Sequence, residues 1–165
     1  MLFDQGSIAP SAIVFFSSGI TKTAIINLIK KFLKHAHILK LAKEEATLFF
    51  KNENPYVISQ QMLKRPDVII TDGKNPVAWH INGLKGFTET PNSQKIVDTT
   101  GAGDAFLAGL ISKLISSSYP SDELEIEDCV KLASVCGLLT CLGEGAIEQQ
   151  PNYEKVLKFL GSLIS

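Results

Sequence analysis

Ile96-Val97-Asp98-Thr99-Thr100-Gly101-Ala102-Gly103-Asp104-Ala105-Phe106 is polar and glycine-rich, and it runs straight into an apolar helical pattern. From Gly103 to Ser116, the residues Phe106, Leu107, Leu110, Ile111 and Leu114 recur at spacings of one, three and four, so the stretch opens a helix. Two glycines allow close backbone approach, and the first N–H groups of any helix lack partners within it. Together they make an anion cradle at the positive end of a helix dipole. Asp104 falls in the same turn, where a carboxylate would repel the ligand of a simple phosphate pocket. It makes chemical sense if it takes a proton from an attacking hydroxyl while the N–H groups stabilise a transferring phosphoryl. An ordinary capping segment, with Asp104 favouring its own helix dipole, accounts for the same residues, and the spacing leaves both open. Two phosphate motifs are excluded. There is no G-x-x-x-x-G-K-[ST], and Phe106 stands where a dinucleotide fingerprint needs its third glycine.

Outward from this stretch, strands and helices alternate. Upstream, Val68 to Thr71 is a β-branched buried strand ended by Asp72-Gly73, and Val77 to Ile81 with Leu84 to Thr88 reads as a hairpin turning at Asn82-Gly83. Further back lie a helix over Tyr56 to Lys64 stopped by Pro66, a short helix over Glu44 to Phe50 and a strand over Ile38 to Leu41. Thr23 to Ala36 has an amphipathic pattern with Lys30, Lys31 and Lys34 on its solvent side, and Ala12 to Phe16 reads as a buried strand. Downstream, Asp128 to Leu142 is an almost wholly apolar helix, and Tyr153 to Ile164 is the last one. The alternation predicts an α/β layered domain with a mainly parallel sheet, whose ligand lies at the carboxyl ends of the strands.

Composition narrows the function. The 165 residues carry 16 Lys+Arg against 17 Asp+Glu, a net charge of −1, so no global field recruits nucleic acid or an anionic membrane surface. Lysines interrupt the richest apolar region, which argues against a spanning helix, and the N-terminus has no pattern of a secretory signal. The three cysteines, Cys129, Cys136 and Cys141, lie in one apolar segment without C-x-x-C spacing. They read as buried free thiols in a reducing, cytoplasmic setting. His35, His37 and His80 are scattered and read as ordinary surface or core residues, and Trp79 reads as packing.

Asp98-Thr-Thr-Gly-Ala-Gly-Asp104-Ala-Phe-Leu-Ala-Gly109 resembles the C-terminal signature of the ribokinase-like (PfkB) carbohydrate kinases. In the same order, Leu39 to Ala46 resembles the strand-turn-helix that bears the family's N-x-x-E motif. Thr71-Asp72-Gly73 resembles its T-x-G strand end, and Ala133 to Ala146 its apolar helix and Gly-Ala turn beside the adenine. The resemblance runs from about Ile13 to Ile164 and is strongest to fructokinase-like members. It implies a three-layer α/β/α ribokinase-like sheet with helices on both faces, truncated at the N-terminus. Residues 1–165 would be the C-terminal nucleotide-binding and catalytic part of such a kinase domain, with no separate second domain. The implied activity is ATP-dependent phosphorylation of a sugar hydroxyl, with ATP, Mg²⁺ and K⁺ as cofactors and a small sugar as substrate.

The implied roles follow position by position. Asp104 matches the catalytic base, and Gly101, Ala102 and Gly103 the anion hole. Thr71, Gly73, Ser134 and Gly145 match nucleotide-binding positions. Glu45 matches the acidic residue that organises Mg²⁺ through water, while Asp98 and Thr100 match the monovalent-cation site. Three departures stand against these matches. Ala42 replaces the asparagine of N-x-x-E, Asn75-Pro76 replaces the end of the T-x-G-x-x-G pattern, and Ser17 to Thr21 replaces a D-P-N-x-R segment. Met1 would fall in the middle of a family member, so the half that binds the sugar and carries the β-sheet lid is expected upstream. Without that half the sheet has an unpaired edge, which suits a homodimer. The alternative to a kinase is a non-catalytic nucleotide- or partner-binding remnant of one.

Overall fold

A computed structural model describes residues 28–163 except Lys30, Lys34, Gln94 and Ser117. The expected strand at Ala12 to Phe16, most of the helix from Thr23 and the Ser17 to Thr21 departure lie outside the described residues. In chain order the elements are β1 (Ile38–Ala42), α1 (Lys43–Phe50), α2 (Pro55–Gln60), β2 (Asp67–Asp72), β3 (Asn75–Ile81), β4 (Leu84–Thr88), α3 (Ala102–Ser116), α4 (Glu123–Thr140) and α5 (Tyr153–Ser162). The described residues of 28–33 are also helical. Leu33 packs into the core and Ala36 is buried, but among the described residues nothing covers Leu28 and Phe32.

The four described strands form one sheet in the order β1-β2-β3-β4. β1 and β2 are parallel, joined by the α1–α2 crossover, whereas β2, β3 and β4 are antiparallel neighbours. The expected mainly parallel sheet is therefore mixed among the described strands. The cause is two tight turns, one at Gly73 (φ 54°) that sets β3 against β2 and one at Asn82 (φ 49°) and Gly83 (φ 79°) that sets β4 against β3, since such short connections join only antiparallel neighbours.

Side-chain alternation splits the core into two layers. Leu39, Leu41, Val68 and Ile70 point to one face, where Ala46 of α1 and Ile58 of α2 cover them. Ile69, Val77, Trp79 and Ile81 point to the other, against Phe106 and Leu110 of α3 and Ile126, Val130 and Ala133 of α4. This is the expected three-layer arrangement with helices on both faces. Trp79 is fully buried and its indole N–H donates to Thr88 Oγ1 at 3.0 Å. All three cysteines are buried free thiols. Among the described residues no helix is long and apolar enough to cross a membrane.

Two helix boundaries differ from expectation by more than two residues. α2 begins where Asn54 accepts the N–H groups of Tyr56 and Val57, but it ends at Gln60 instead of Lys64. Met62 and Arg65 donate to carbonyls three residues back at 3.0 and 3.1 Å, so tighter turns replace the α-helical ladder. α4 starts at Glu123, five residues before the apolar run, because the Asp122 carboxylate caps the Glu125 N–H at 2.9 Å. That first turn is charged and solvent-facing, and so has no apolar period.

Candidate active site

The parallel pair β1–β2 puts two strand ends at one edge of the sheet, with Ala42 opposite Thr71. The N-terminus of α3 comes to the same edge because its first turn packs on α4. There Gly137 lets the backbone approach, since a Cβ on it would sit 3.0 Å from the Ala102 carbonyl.

The turn ahead of α3 is held by one carboxylate. Asp98 Oδ1 accepts the Thr100 N–H at 2.9 Å and the Thr100 hydroxyl at 2.8 Å, and Oδ2 accepts the Gly145 N–H at 2.9 Å. These bonds, led by that from the Thr100 backbone, hold the Asp98 carboxyl below the usual carboxylate range. The Val97 N–H donates to the Cys141 carbonyl at 2.8 Å, so the turn is tied to the end of α4 twice. Gly101 has φ +80°, and a Cβ there would lie 2.7 Å from that of Ala146. The consequence is a bared helix start. Ala102 and Ala105 donate to Thr99 and Gly101, but among the described residues no acceptor meets the N–H of Gly101, Gly103 or Asp104. Those amides, with the helix dipole behind them, are what an anion would bind. Asp104 stands exposed in the same first turn.

Asp98, Thr100, Gly101, Ala102, Gly103, Asp104 and Gly145 are therefore brought together as the sequence suggests. A cavity of about 500 Å³ opens beside them, with Gly101 and Asp104 at one end and Gly109, Cys136, Ala146 and Tyr153 among its walls. Thr71 and Gly73 are at the end of β2 and do not line it. There Asp72 accepts bonds from Lys43 Nζ and Asn75 Nδ2, each at 3.0 Å, and Gly73 turns the chain with φ +54°. Ser134 is buried, its hydroxyl has no partner among the described residues, and it is not part of the cavity wall. Leu132 and Cys136 line the cavity instead, since a position two residues from either is rotated about 200° around the helix. Glu45 sits in the first turn of α1 and accepts the Ala42 N–H at 2.7 Å.

One residue of the site was not singled out from the sequence. Lys40 of β1 brings its Nζ to within 2.9 Å of where a Cβ on Gly103 would sit. Burial pushes its pKa down, and the nearby charges of Glu45 and Asp104 oppose that shift. A lone lysine in the apolar run Ile38-Leu39-Lys40-Leu41 was the available signal.

Comparison with known proteins shows the family and the fold. The profile of the pfkB family carbohydrate kinases matches residues 13–152. A probable fructokinase-7 of Arabidopsis thaliana is 31% identical over 133 residues, which cover 77% of this chain and 38% of that protein. The fructokinase of Xylella fastidiosa with bound ATP superposes with a TM-score of 0.78 at 23% identity, over 91% of this chain and 49% of the other. That of Vibrio cholerae O395, in a form bound to fructose, ADP and calcium, gives 0.72 at 26% identity, over 84% and 45%. Its double mutant bound to fructose, ADP and potassium gives 0.73 at 25% identity, again over 84% and 45%. The fold is thus ribokinase-like, and the chain spans about half or less of the length of these relatives.

Proposed function

The chain belongs to the pfkB family of carbohydrate kinases, and we propose that it forms the nucleotide-binding and catalytic part of an ATP-dependent sugar kinase. The observation that carries this reading is the bared start of α3, where three amides without acceptors among the described residues share a turn with one exposed carboxylate. Phosphoryl transfer asks a protein mainly for positioning and charge stabilisation. The N–H groups of Gly101, Gly103 and Asp104 would bind the γ-phosphoryl oxygens. The Asp104 carboxylate, free in solvent and not tied into the turn, would accept the proton of the attacking sugar hydroxyl. Asp98 serves neither step directly, since both its oxygens are engaged in holding the cradle's shape.

ATP would lie along the carboxyl edge of the sheet, with its phosphates at α3 and its base toward the cavity walled by Cys136 and Ala146. Thr71 and Gly73 would border it from the β2 side. Bound with the nucleotide, Mg²⁺ would neutralise charge on the phosphates. Among the described residues no three carboxylate, histidine or cysteine side chains group around a metal position, which suits an ion held by phosphates and water with Glu45 nearby. Backbone carbonyls at Asp98 and Thr100, with those near Gly145, would hold a monovalent cation beneath the cradle. Three free thiols suit a cytoplasmic setting.

Titration calorimetry of the folded chain with a non-hydrolysable ATP analogue, in Mg²⁺ and K⁺, tests the nucleotide site. Absence of binding would refute it. A coupled ADP-release assay over hexoses, pentoses and nucleosides, run on a protein that also carries the sugar-binding half expected upstream, then separates a kinase, which releases ADP in response to one sugar class, from a binding module, which does not.

A further inference from the structure

We propose that Lys40 is a phosphate-binding residue of this site, its ammonium group closing the α3 amide cradle from the β1 side onto the oxygens of a nucleoside triphosphate. The inference rests on the phosphoryl-transfer reading above and deepens it.

The placement begins with the strand. Burial along β1 alternates, with Leu39 and Leu41 turned into the layer covered by α1 and α2. Lys40 must then point the opposite way, as Ile38 does in packing on the α3–α4 layer. Its stem crosses from the sheet to the helix start, and its Nζ rests on the backbone of Gly103. Any side chain there would meet it, because a Cβ would fall 2.9 Å from the nitrogen. A glycine at position 103 thus opens the room that the ammonium group occupies.

The hydrogen bonding at this nitrogen suits an oxyanion. Lys43 pairs at 3.7 Å with Glu53 and at 3.0 Å with Asp72. Among the described residues Lys40 makes no such pair, and no hydrogen-bond acceptor meets its Nζ. Glu45 and Asp104 are near enough to favour its charge but not in contact. A half-buried ammonium with no hydrogen-bond acceptor among the described residues is an unfavourable arrangement on its own. Beside it stand three amides that also lack acceptors. Donors on both sides of one gap, with no acceptor between them, describe a receptor for an oxyanion. A lysine acts there as a point charge, which suits a phosphate chain. Ala42, two residues further on, offers no polar side chain, so on β1 the lysine is the only group that can reach this ligand from that face.

The test compares wild type, Lys40→Met and Lys40→Arg in calorimetric titrations with a non-hydrolysable ATP analogue and, separately, with adenosine, which has no phosphate. Lys40→Met should weaken binding of the analogue roughly ten- to a hundredfold, the size of one charge-assisted hydrogen bond, and leave adenosine affinity unchanged. Lys40→Arg should stay within about threefold of wild type. If Lys40→Met does not fold, Lys40→Gln, which is shorter and neutral but polar, takes its place with the same expectation. Equal analogue affinity in wild type and the neutral variant overturns the role of Lys40 and leaves the nucleotide site standing. Equal losses for analogue and adenosine overturn it too, since they mean a purely structural lysine. No binding of the analogue by folded wild type removes the nucleotide reading itself, and this proposal with it.

Discussion

Replacing Gly101 by alanine should be far more damaging than the same change at Gly145, although both glycines have positive φ and both border the same turn. Gly101 has φ +80° and Gly145 φ +67°, a region where an L side chain costs about 1–2 kcal/mol. What separates them is space. A Cβ on Gly101 would lie 2.7 Å from the Cβ and 3.0 Å from the Cα of Ala146, whereas one on Gly145 would meet nothing within 4 Å. Ala146 cannot rotate away, because its backbone is one of the obstructing atoms and its neighbour Gly145 is pinned by Asp98. Overpacking of this kind costs roughly 1–3 kcal/mol more. Loss of glycine's flexibility in the unfolded chain returns about 0.4–1 kcal/mol in both variants. The net is about 1–5 kcal/mol at Gly101 and about 0–2 kcal/mol at Gly145, with the overpacking as the difference between them. For a chain of this size that corresponds to falls in Tm of about 2–20 °C and at most about 8 °C, the larger always at Gly101. Thermal unfolding by circular dichroism measures both. Asparagine variants separate the two causes, since asparagine tolerates positive φ but still carries a Cβ. Gly145→Asn should be near wild type and Gly101→Asn should remain poor. Equal falls at the two positions would refute the account of a cradle locked against the Gly145-Ala146 loop.

Other expectations follow from the same geometry. In a protein that has its sugar-binding half, Asp104→Asn should lower sugar-dependent turnover by on the order of 10²–10⁴ while analogue affinity changes less than about twofold, because the base of the proposed reaction acts on the acceptor; kcat near wild type would require another base. Ala42→Asn should raise Tm by about 2–4 °C, since position 42 is the N-cap of α1 in extended conformation and an asparagine oxygen could accept the Glu45 N–H; an unchanged Tm would show that this cap does not form. Asp98 should make stability acid-sensitive. Its carboxyl titrates lower in the folded chain, so its contribution is complete above the ordinary unfolded value near 3.9 and drains away as pH falls below it. The Tm gap between wild type and Asp98→Asn should hold steady from pH 7 to 5 and narrow by pH 3, and a gap that widens in acid would contradict the hydrogen-bond assignment.

The readable parts of this fold are those whose signal is local. Val68-Ile69-Ile70 declares a buried strand by composition, and Asn82-Gly83 declares a turn because both of its residues take positive φ. What such signals do not carry is pairing. β3 follows β2 through a tight turn at Gly73 and lies antiparallel beside it, which turns an expected parallel sheet into a mixed one. The first turn of α4 escaped for a related reason. Glu123 and Glu125 face solvent and hold the helix start by capping and charge, neither of which has an apolar period.

The site divides in the same way. The cradle from Asp98 to Asp104 is one contiguous segment whose job depends on its own backbone, so its residue types announce it. The rest of the site is made by chain segments that meet only after the sheet forms. Glu45 shows how such a position acquires two demands at once. Its carboxylate accepts the Ala42 N–H and so stabilises the start of α1, and the same carboxylate lies close enough to Lys40 to favour its charge. An asparagine at position 42 would be well placed as the N-cap of that helix as well as a polar group at the phosphate edge. Alanine offers no side-chain cap, and on the proposed reading no ligand contact either, and the two losses can be told apart. A lost cap lowers Tm equally with and without nucleotide. A lost ligand contact leaves the Tm of the free chain unchanged and reduces only the rise that a saturating ATP analogue produces.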